Sequence, residues 1–259
     1  MTTPDLRFGV TIPRREDARL LAGKGVFTAD LQPDGLCHAV FLRSPHGHAR
    51  VERVVTDASA AMPGVIAVLT AQDLAADRMG PIQSPIKLTR PDGSPAPSTP
   101  RPLLSYDVVR HLGEPVAMII AESAALAADA AEFVEIDYSP LPAVTTCRDA
   151  LAAGAPAVWA ETPDNIAFLW RKGEHEAVAA AIASAAHVTR LDYSLSRVAA
   201  SPLEPRVTLA LPEQDGGMLV YSSTQNPYQL RDALGRLFGD LAGRIHVIAG
   251  DVGGSFGMK

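Results

Sequence analysis

Residues 250–259, which we call the glycine loop, have the composition of a ligand-binding segment. They contain four glycines and follow the apolar run 245–249, for which we expect a short buried strand. Glycine lets the backbone approach a ligand closely and present its N–H groups. The loop matches neither of two common phosphate-binding patterns, because Met258 precedes Lys259 and no register gives Gly-x-Gly-x-x-Gly. By itself the loop predicts either a binding site or a structural turn.

Polar residues elsewhere could contribute to the same site. Residues 223–227 read Ser-Thr-Gln-Asn-Pro between a predicted strand and a predicted helix, where Gln225 can project into a cleft. We expect the glycine loop to leave a neighbouring strand at the same end of the sheet. Structural and functional roles for Gln225 both remain open, because a buried amide needs partners in either case. Glu204 and Arg206 flank a proline, and they could support a site or only hold a turn together.

The apolar pattern predicts a mixed α/β (α+β) protein. In the first part we expect strands at 36–42, 51–55, 65–69, 116–121 and 134–138, and a helix at 123–133. The order strand, helix, strand at 116–138 indicates a βαβ-like unit. The proline-rich stretch 81–102 is expected to be a surface loop, because proline removes backbone donors. In the second part we expect strands at 166–170, 187–195, 207–211, 218–222 and 245–249, and helices at 174–185 and 226–238.

The composition excludes several broad classes of protein. Apolar residues make up 47% and charged residues 20% of the chain, so a disordered or collagen-like protein is excluded. The net charge of −6 argues against nucleic acid as a partner. No apolar run approaches the roughly 20 residues of a membrane span, and the N-terminus lacks the apolar core of a secretory signal. We therefore expect a cytoplasmic protein without a membrane span.

The residue types give little support to metal or thiol chemistry by side chains. The two cysteines, Cys37 and Cys147, cannot supply the four thiolates of an iron–sulfur cluster. His46 and His48 could form a metal-binding pair, but no third ligand lies near them in the sequence. A solvated turn is the simpler interpretation of this histidine pair. We predict no metal-ligating side chain.

Taken together, the motifs closely resemble those of a family of molybdenum enzymes. Residues 204–206 (Glu-Pro-Arg), 223–227 and 252–259 (Val-Gly-Gly-Ser-Phe-Gly-Met-Lys) follow one another as in the xanthine dehydrogenase, aldehyde oxidase and aerobic carbon monoxide dehydrogenase family. Their spacing is also similar. Further pieces of the resemblance lie at 14–17, 21–25, 43–45, 113–117 and 134–138. The ordered set extends over nearly the whole chain and points to the large, cofactor-binding subunit.

The resemblance implies an α/β hammerhead domain at 1–144, a linker at 145–162 and the first part of a molybdenum-cofactor-binding domain at 163–259. It also implies that Gln225 has a catalytic role and hydrogen-bonds an oxygen ligand of molybdenum. An amide can donate to such an oxygen without adding charge. The implied cofactor is molybdenum-molybdopterin, with molybdopterin cytosine dinucleotide as a possible form. The implied cofactor-binding residues are Gly253, Gly254, Ser255, Phe256 and Gly257.

The activity implied by the resemblance is oxidative hydroxylation of an aldehyde, an N-heterocycle or carbon monoxide. The implied partners are the remaining part of the molybdenum subunit, an iron–sulfur subunit, an FAD subunit and a small-molecule substrate. In the family the subunit continues beyond the position of Lys259 and there holds the glutamate base, so we expect the chain to be inactive alone. The alternative is a non-catalytic, hammerhead-type module for subunit association. A nucleotide-binding enzyme is a weaker alternative, because both phosphate-loop patterns are absent.

Overall fold

Contacts within the chain divide it into two compact units. The computed structural model describes residues 9, 12–84, 87–90, 92–97, 99–170 and 172–259. Asp34–Leu195 form one unit, here called the central unit. Met1–Pro33 and Ser196–Lys259 form the other, here called the terminal unit. The domain boundaries at 144 and 163 stay a prediction, because these units group residues by contact and not by family domain.

Strands and helices are interspersed along the described chain. The strands are β1 (His38–Arg43), β2 (Ala49–Val55), β3 (Val65–Thr70), β4 (Val108–Val109), β5 (Pro115–Ala121), β6 (Glu135–Pro140), β7 (Thr208–Pro212), β8 (Met218–Ser222) and β9 (Ile245–Ile248). The α-helices are α1 (Asp17–Leu21), α2 (Asp57–Ala60), α3 (Ala71–Ala76), α4 (Ala124–Ala131), α5 (Cys147–Ala150), α6 (His175–Ser184) and α7 (Pro227–Leu237). Short 3₁₀ turns occur at Thr28–Asp30 and Gly239–Leu241.

Two three-stranded antiparallel sheets form the core of the central unit. Strand β5 lies between β1 and β3, and strand β2 lies between β4 and β6. Helix α4 packs against β1 and β5, and its N-cap Ser123 accepts a hydrogen bond from the amide of Leu126. Ile119 of β5 and Ala127 and Ala130 of α4 are fully buried together. The small alanine side chains let the helix lie close to the sheet.

The proline-rich stretch 81–102 is a loop, as predicted. Its described residues contain no helix or regular strand. Two isolated β-bridges, Ile82 with Arg101 and Thr89 with Pro95, connect its two sides. The loop therefore folds back on itself at the surface of the central unit.

The sheet of the terminal unit determines where the candidate functional segments begin. Strand β8 pairs with β7 in antiparallel and with β9 in parallel orientation, with Met218 opposite Ile245. Helix α7 connects β8 to β9 and packs against β9. Because parallel neighbours need such a crossover, β8, α7 and β9 form a βαβ unit. The carboxyl ends of β8 and β9 consequently lie at the same edge of the sheet.

Three of the predictions about elements are wrong. Residues 166–170 and 187–195 are irregular, and every side chain of 187–195 is exposed. Alternating polarity produces a strand only where a neighbouring strand completes the hydrogen bonds. The expected βαβ-like unit at 116–138 does not form, because β5 and β6 belong to different antiparallel sheets. In the ranges that the structure describes, no helix is long and apolar enough to cross a membrane.

Candidate functional site

Gln225 lies directly beyond the carboxyl end of β8. The strand end is held by Ser223, whose N–H donates to the carbonyl of Val207 at 3.1 Å and whose Oγ accepts from the Val207 N–H at 3.2 Å. The helix start is held by Asn226, whose side chain accepts from the N–H of Gln229 at 3.1 Å. Gln225 is thus fixed between strand and helix, and its side chain is exposed.

The glycine loop contacts Gln225 through Ser255. The Ser255 hydroxyl donates to Oε1 of Gln225 and accepts from the N–H of Lys259 at 3.2 Å. The backbone N–H of Gln225 donates to the Lys259 carbonyl at 3.5 Å. With Oε1 occupied, the two side-chain N–H donors of Gln225 find no acceptor in the part of the chain that the structure describes. The side chain is therefore oriented and keeps its donors available.

Close packing explains two of the loop's glycines. A Cβ added at Gly253 would lie 2.5 Å from the Cβ of Glu204. At Gly254 the backbone has φ +95°, and an added Cβ would lie 3.1 Å from Pro202. Both positions therefore need glycine for the loop to lie against residues 202–204. Gly257 also has a positive φ, +81°, but apart from its chain neighbours no described residue has a heavy atom within 4 Å of its added Cβ.

The tip of the loop presents a run of unpaired backbone donors. Within the described chain, the N–H groups of residues 254–257 donate to no protein acceptor. Phe256 has φ +51°, which is uncommon for a bulky residue, and the residue is 76% exposed. Successive N–H groups in backbone of mixed handedness form concave sites for anions. The loop tip is therefore suited to binding an anionic group.

Glu204 and Arg206 hold the two ends of the glycine loop. The Oε2 atom of Glu204 accepts from the Gly253 N–H at 2.7 Å and from the Lys259 ammonium at 2.8 Å. The guanidinium of Arg206 donates to the carbonyl of Met258, from Nε at 3.0 Å. Both side chains thus hold a turn together, as one of the two interpretations proposed. The turn that they stabilise is the glycine loop, and not the segment 204–206 in which they lie.

Sequence reasoning missed an ion pair at the base of the loop. Arg19 of α1 donates to both carboxylate oxygens of Asp251, at 2.5 and 2.6 Å. The N–H of Val26 donates to the same carboxylate at 2.8 Å. These donors, Arg19 first, lower the pKa of Asp251 to about 2. The partners lie 232 residues apart, and no local pattern indicates such a contact.

The histidine pair of the central unit makes protein contacts. The ring of His46 packs against that of Tyr138, with centroids 4.9 Å apart, and Nδ1 of His48 lies 2.8 Å from the Pro142 carbonyl. Among the described residues, no group of three or more His, Cys, Asp or Glu side chains could hold a metal ion.

Comparison with known protein families identifies the relationship. Residues 22–142 match the family model described as the a/b hammerhead domain of aldehyde oxidase and xanthine dehydrogenase. Residues 158–259 match the molybdopterin cofactor-binding domain. The chain belongs to the aldehyde oxidase and xanthine dehydrogenase family. The family resemblance and the mixed α/β fold class expected from the sequence are confirmed, and Gln225 and the glycine loop both lie in the cofactor-binding match.

Relatives in this family are about three times as long as the chain. It is 38% identical to the large subunit of nicotine 6-hydroxylase from Paenarthrobacter nicotinovorans, over 97% of the chain and 30% of that protein. It is 32% identical to the carbon monoxide dehydrogenase large chain of Afipia carboxidovorans, over 95% of the chain and 31% of that protein. The structure of quinoline 2-oxidoreductase from Pseudomonas putida 86 is similar, with a TM-score of 0.82 and 34% sequence identity. The match covers 96% of the chain and 31% of the quinoline 2-oxidoreductase chain.

Proposed function

We propose that the chain is the part of a molybdenum hydroxylase large subunit that holds the molybdopterin cofactor through Gln225 and the glycine loop. One observation carries the proposal. The parallel pair β8 and β9 brings both segments to one sheet edge, where the hydroxyl of Ser255 joins them. The match of residues 158–259 to a molybdopterin cofactor-binding domain supplies the class of ligand. Molybdenum-molybdopterin, in its simple or its cytosine dinucleotide form, would supply the oxidation–reduction chemistry when bound.

The residues of the site fit such a cofactor. The N–H groups of 254–257 can donate to the oxygens of an anionic phosphate, because they are consecutive and unpaired within the described chain. The exposed ring of Phe256 can pack against a planar group. The side-chain N–H groups of Gln225 can donate to an oxygen ligand, and Ser255 restricts the rotation of that amide through Oε1. Gly253, Gly254 and Gly257 give the loop the close packing and positive φ values that shape it.

We infer further that the assembled enzyme oxidatively hydroxylates an aldehyde, an N-heterocycle or carbon monoxide. The names of the similar proteins include nicotine, quinoline and carbon monoxide, which supports the N-heterocycle and carbon monoxide classes. The description of the matching family model names aldehyde oxidase, which supports the aldehyde class. Because the chain spans about 30% of its relatives, activity requires the remaining part of the molybdenum subunit. We propose iron–sulfur and FAD subunits as electron-accepting partners and the cytoplasm as the location. The chain alone is expected to have no hydroxylase activity.

The test compares variants in the assembled complex that contains this chain. Gln225→Ala removes one amide hydrogen bond, worth about 0.5–1.5 kcal/mol. We expect turnover to fall roughly two- to tenfold on that basis, with molybdenum content measured by elemental analysis unchanged. Gly254→Val should lower the molybdenum content, because it alters the loop backbone. Gln229→Ala is the matched control, since Gln229 is an exposed glutamine one turn further along α7.

Two outcomes would contradict the proposal. If Gln225→Ala and Gly254→Val both keep the full rate and the full molybdenum content, the site is wrongly assigned. If the wild-type complex contains no molybdenum, the non-catalytic association module becomes the better interpretation.

A further inference from the structure

The carboxylate of Glu204 is tied to the glycine loop in a water-poor environment. Its side chain is 8% exposed, and the side chain of its partner Lys259 is fully buried. A buried ion pair is weak evidence for stability, because removing both charges from water offsets much of their attraction. Such a pair does impose a defined geometry on the groups that make it. The contact therefore has more effect on where the loop lies than on how stable the unit is.

Glu204 and Gly253 are joined in both directions. The Gly253 N–H donates to Oε2 of Glu204 at 2.7 Å, and the Glu204 N–H donates to the Gly253 carbonyl at 3.3 Å. A Cβ on Gly253 would lie 3.5 Å from the Cα of Glu204, so the two backbones are also in close contact. Pro205 restricts φ immediately after this contact. Arg206 then binds the Met258 carbonyl near the other end of the loop.

One atom of Glu204 indicates that stability is not the reason for this arrangement. Its Oε1 is buried and has no hydrogen-bond partner among the residues that the structure describes. Leaving a buried carboxylate oxygen unpaired costs free energy. Oε1 is left unpaired, whereas Oε2 keeps both of its donors, the Gly253 N–H and the Lys259 ammonium.

We infer that residues 204–206 form a clamp that positions the glycine loop for the cofactor, with Glu204 as the positioning residue. The inference rests on the proposed function, since it takes the loop to be the cofactor cradle. Glu204 fixes the loop before its free N–H groups at 254–257, and Arg206 fixes it after them. The free donors therefore lie between two anchored points. Glu204 itself acts through the loop.

The experiment separates loop position from stability by two variants. Glu204→Ala removes the acceptor of Gly253 and leaves Lys259 buried without a partner. The double variant Glu204→Met with Lys259→Met removes both charges, which commonly leaves stability unchanged or higher, but it still lacks the acceptor for Gly253. Glu213→Ala is the control, because Glu213 is a glutamate of the same unit that pairs with His246 at the surface. Melting temperature is measured on the full chain, together with loop exchange, by which we mean hydrogen exchange at the bonded loop amides of Gly253, Met258 and Lys259.

We expect Glu204→Ala to lower the melting temperature and to speed exchange in the loop about tenfold or more, as loss of a charged hydrogen bond predicts. The double variant should recover the melting temperature while exchange stays fast. In the assembled complex, the molybdenum content of the double variant should be lower than that of the wild type. Glu213→Ala should leave loop exchange at the wild-type rate.

The clamp is refuted if loop exchange in the double variant returns to the wild-type rate together with the melting temperature. It is also refuted if Glu204→Ala leaves loop exchange unchanged. A wild-type complex without molybdenum would overturn the proposed function and with it the cofactor role of the clamp. The exchange data would still show separately whether Glu204 positions the loop.

Discussion

A methyl group added at Gly253 has no room in the structure. Its carbon would lie 2.5 Å from the Cβ of Glu204, about 1 Å inside an ordinary carbon–carbon contact of about 3.5 Å. The opposing atom is attached directly to the backbone, so a side-chain rotation cannot relieve the clash. Overpacking of this kind costs about 1–3 kcal/mol. A displacement of about 1 Å would also break the 2.7 Å bond from the Gly253 N–H to Oε2, which contributes about 1.5 kcal/mol or more because its acceptor is charged.

We therefore expect Gly253→Ala to lower the free energy of unfolding by about 2.5–4.5 kcal/mol in total. Urea unfolding followed by circular dichroism measures this difference. Gly239→Ala is the control, because its φ is not positive and, beyond its chain neighbours, none of the described residues has a heavy atom within 4 Å of its added Cβ. It should change stability by about 0.5 kcal/mol or less. If Gly253→Ala unfolds at the same urea concentration as Gly239→Ala, the loop does not pack on Glu204 as described.

Two further predictions concern the base of the loop and the exposed segment of the central unit. Asp251→Asn should lower the melting temperature most above about pH 4, and the difference from the wild type should fade between about pH 4 and pH 2. The reason is that the pKa of Asp251 is lowered from 3.8 to about 2 in the folded state, chiefly by Arg19. A difference that does not depend on pH would contradict the ion pair. Limited trypsin digestion should cut first after Lys172 and Arg190, because both residues lie in an exposed stretch. Earlier cleavage after Arg53, which lies in the paired strand β2, would contradict this prediction.

The sequence predicts an element well when the residues that stabilise the element lie close to it along the chain. The expected strand at 218–222 coincides with β8, and the predicted helix start at Asn226 is confirmed by its capping bond. Local signals were sufficient there, since a cap and a proline act within one turn. The same-edge placement of Gln225 and the glycine loop is also confirmed, because β8 and β9 pair in parallel.

Contacts between distant residues are those that the sequence could not predict. The alternating pattern of 187–195 is as regular as that of a true strand, yet no partner strand pairs with it among the described residues. The spacing of residues along the chain could not predict the contact between Arg19 and Asp251. At the candidate site, the types of residues indicated a cradle, but the roles of Glu204 and Lys259 depend on contacts 55 residues apart.

The split terminal unit sets an order in which the chain can fold during synthesis. Arg19 precedes Asp251 by 232 residues, so at roughly 5–20 residues per second it leaves the ribosome about 10–45 s earlier. All strands of the two central sheets emerge in that interval. Helix α1 has five residues and is too short to persist alone in water. Helix α1 therefore lacks its ion-pair partner while the central unit forms, and a ribosome that stalls before Asp251 holds a nascent chain in which Arg19 is still unpaired with Asp251.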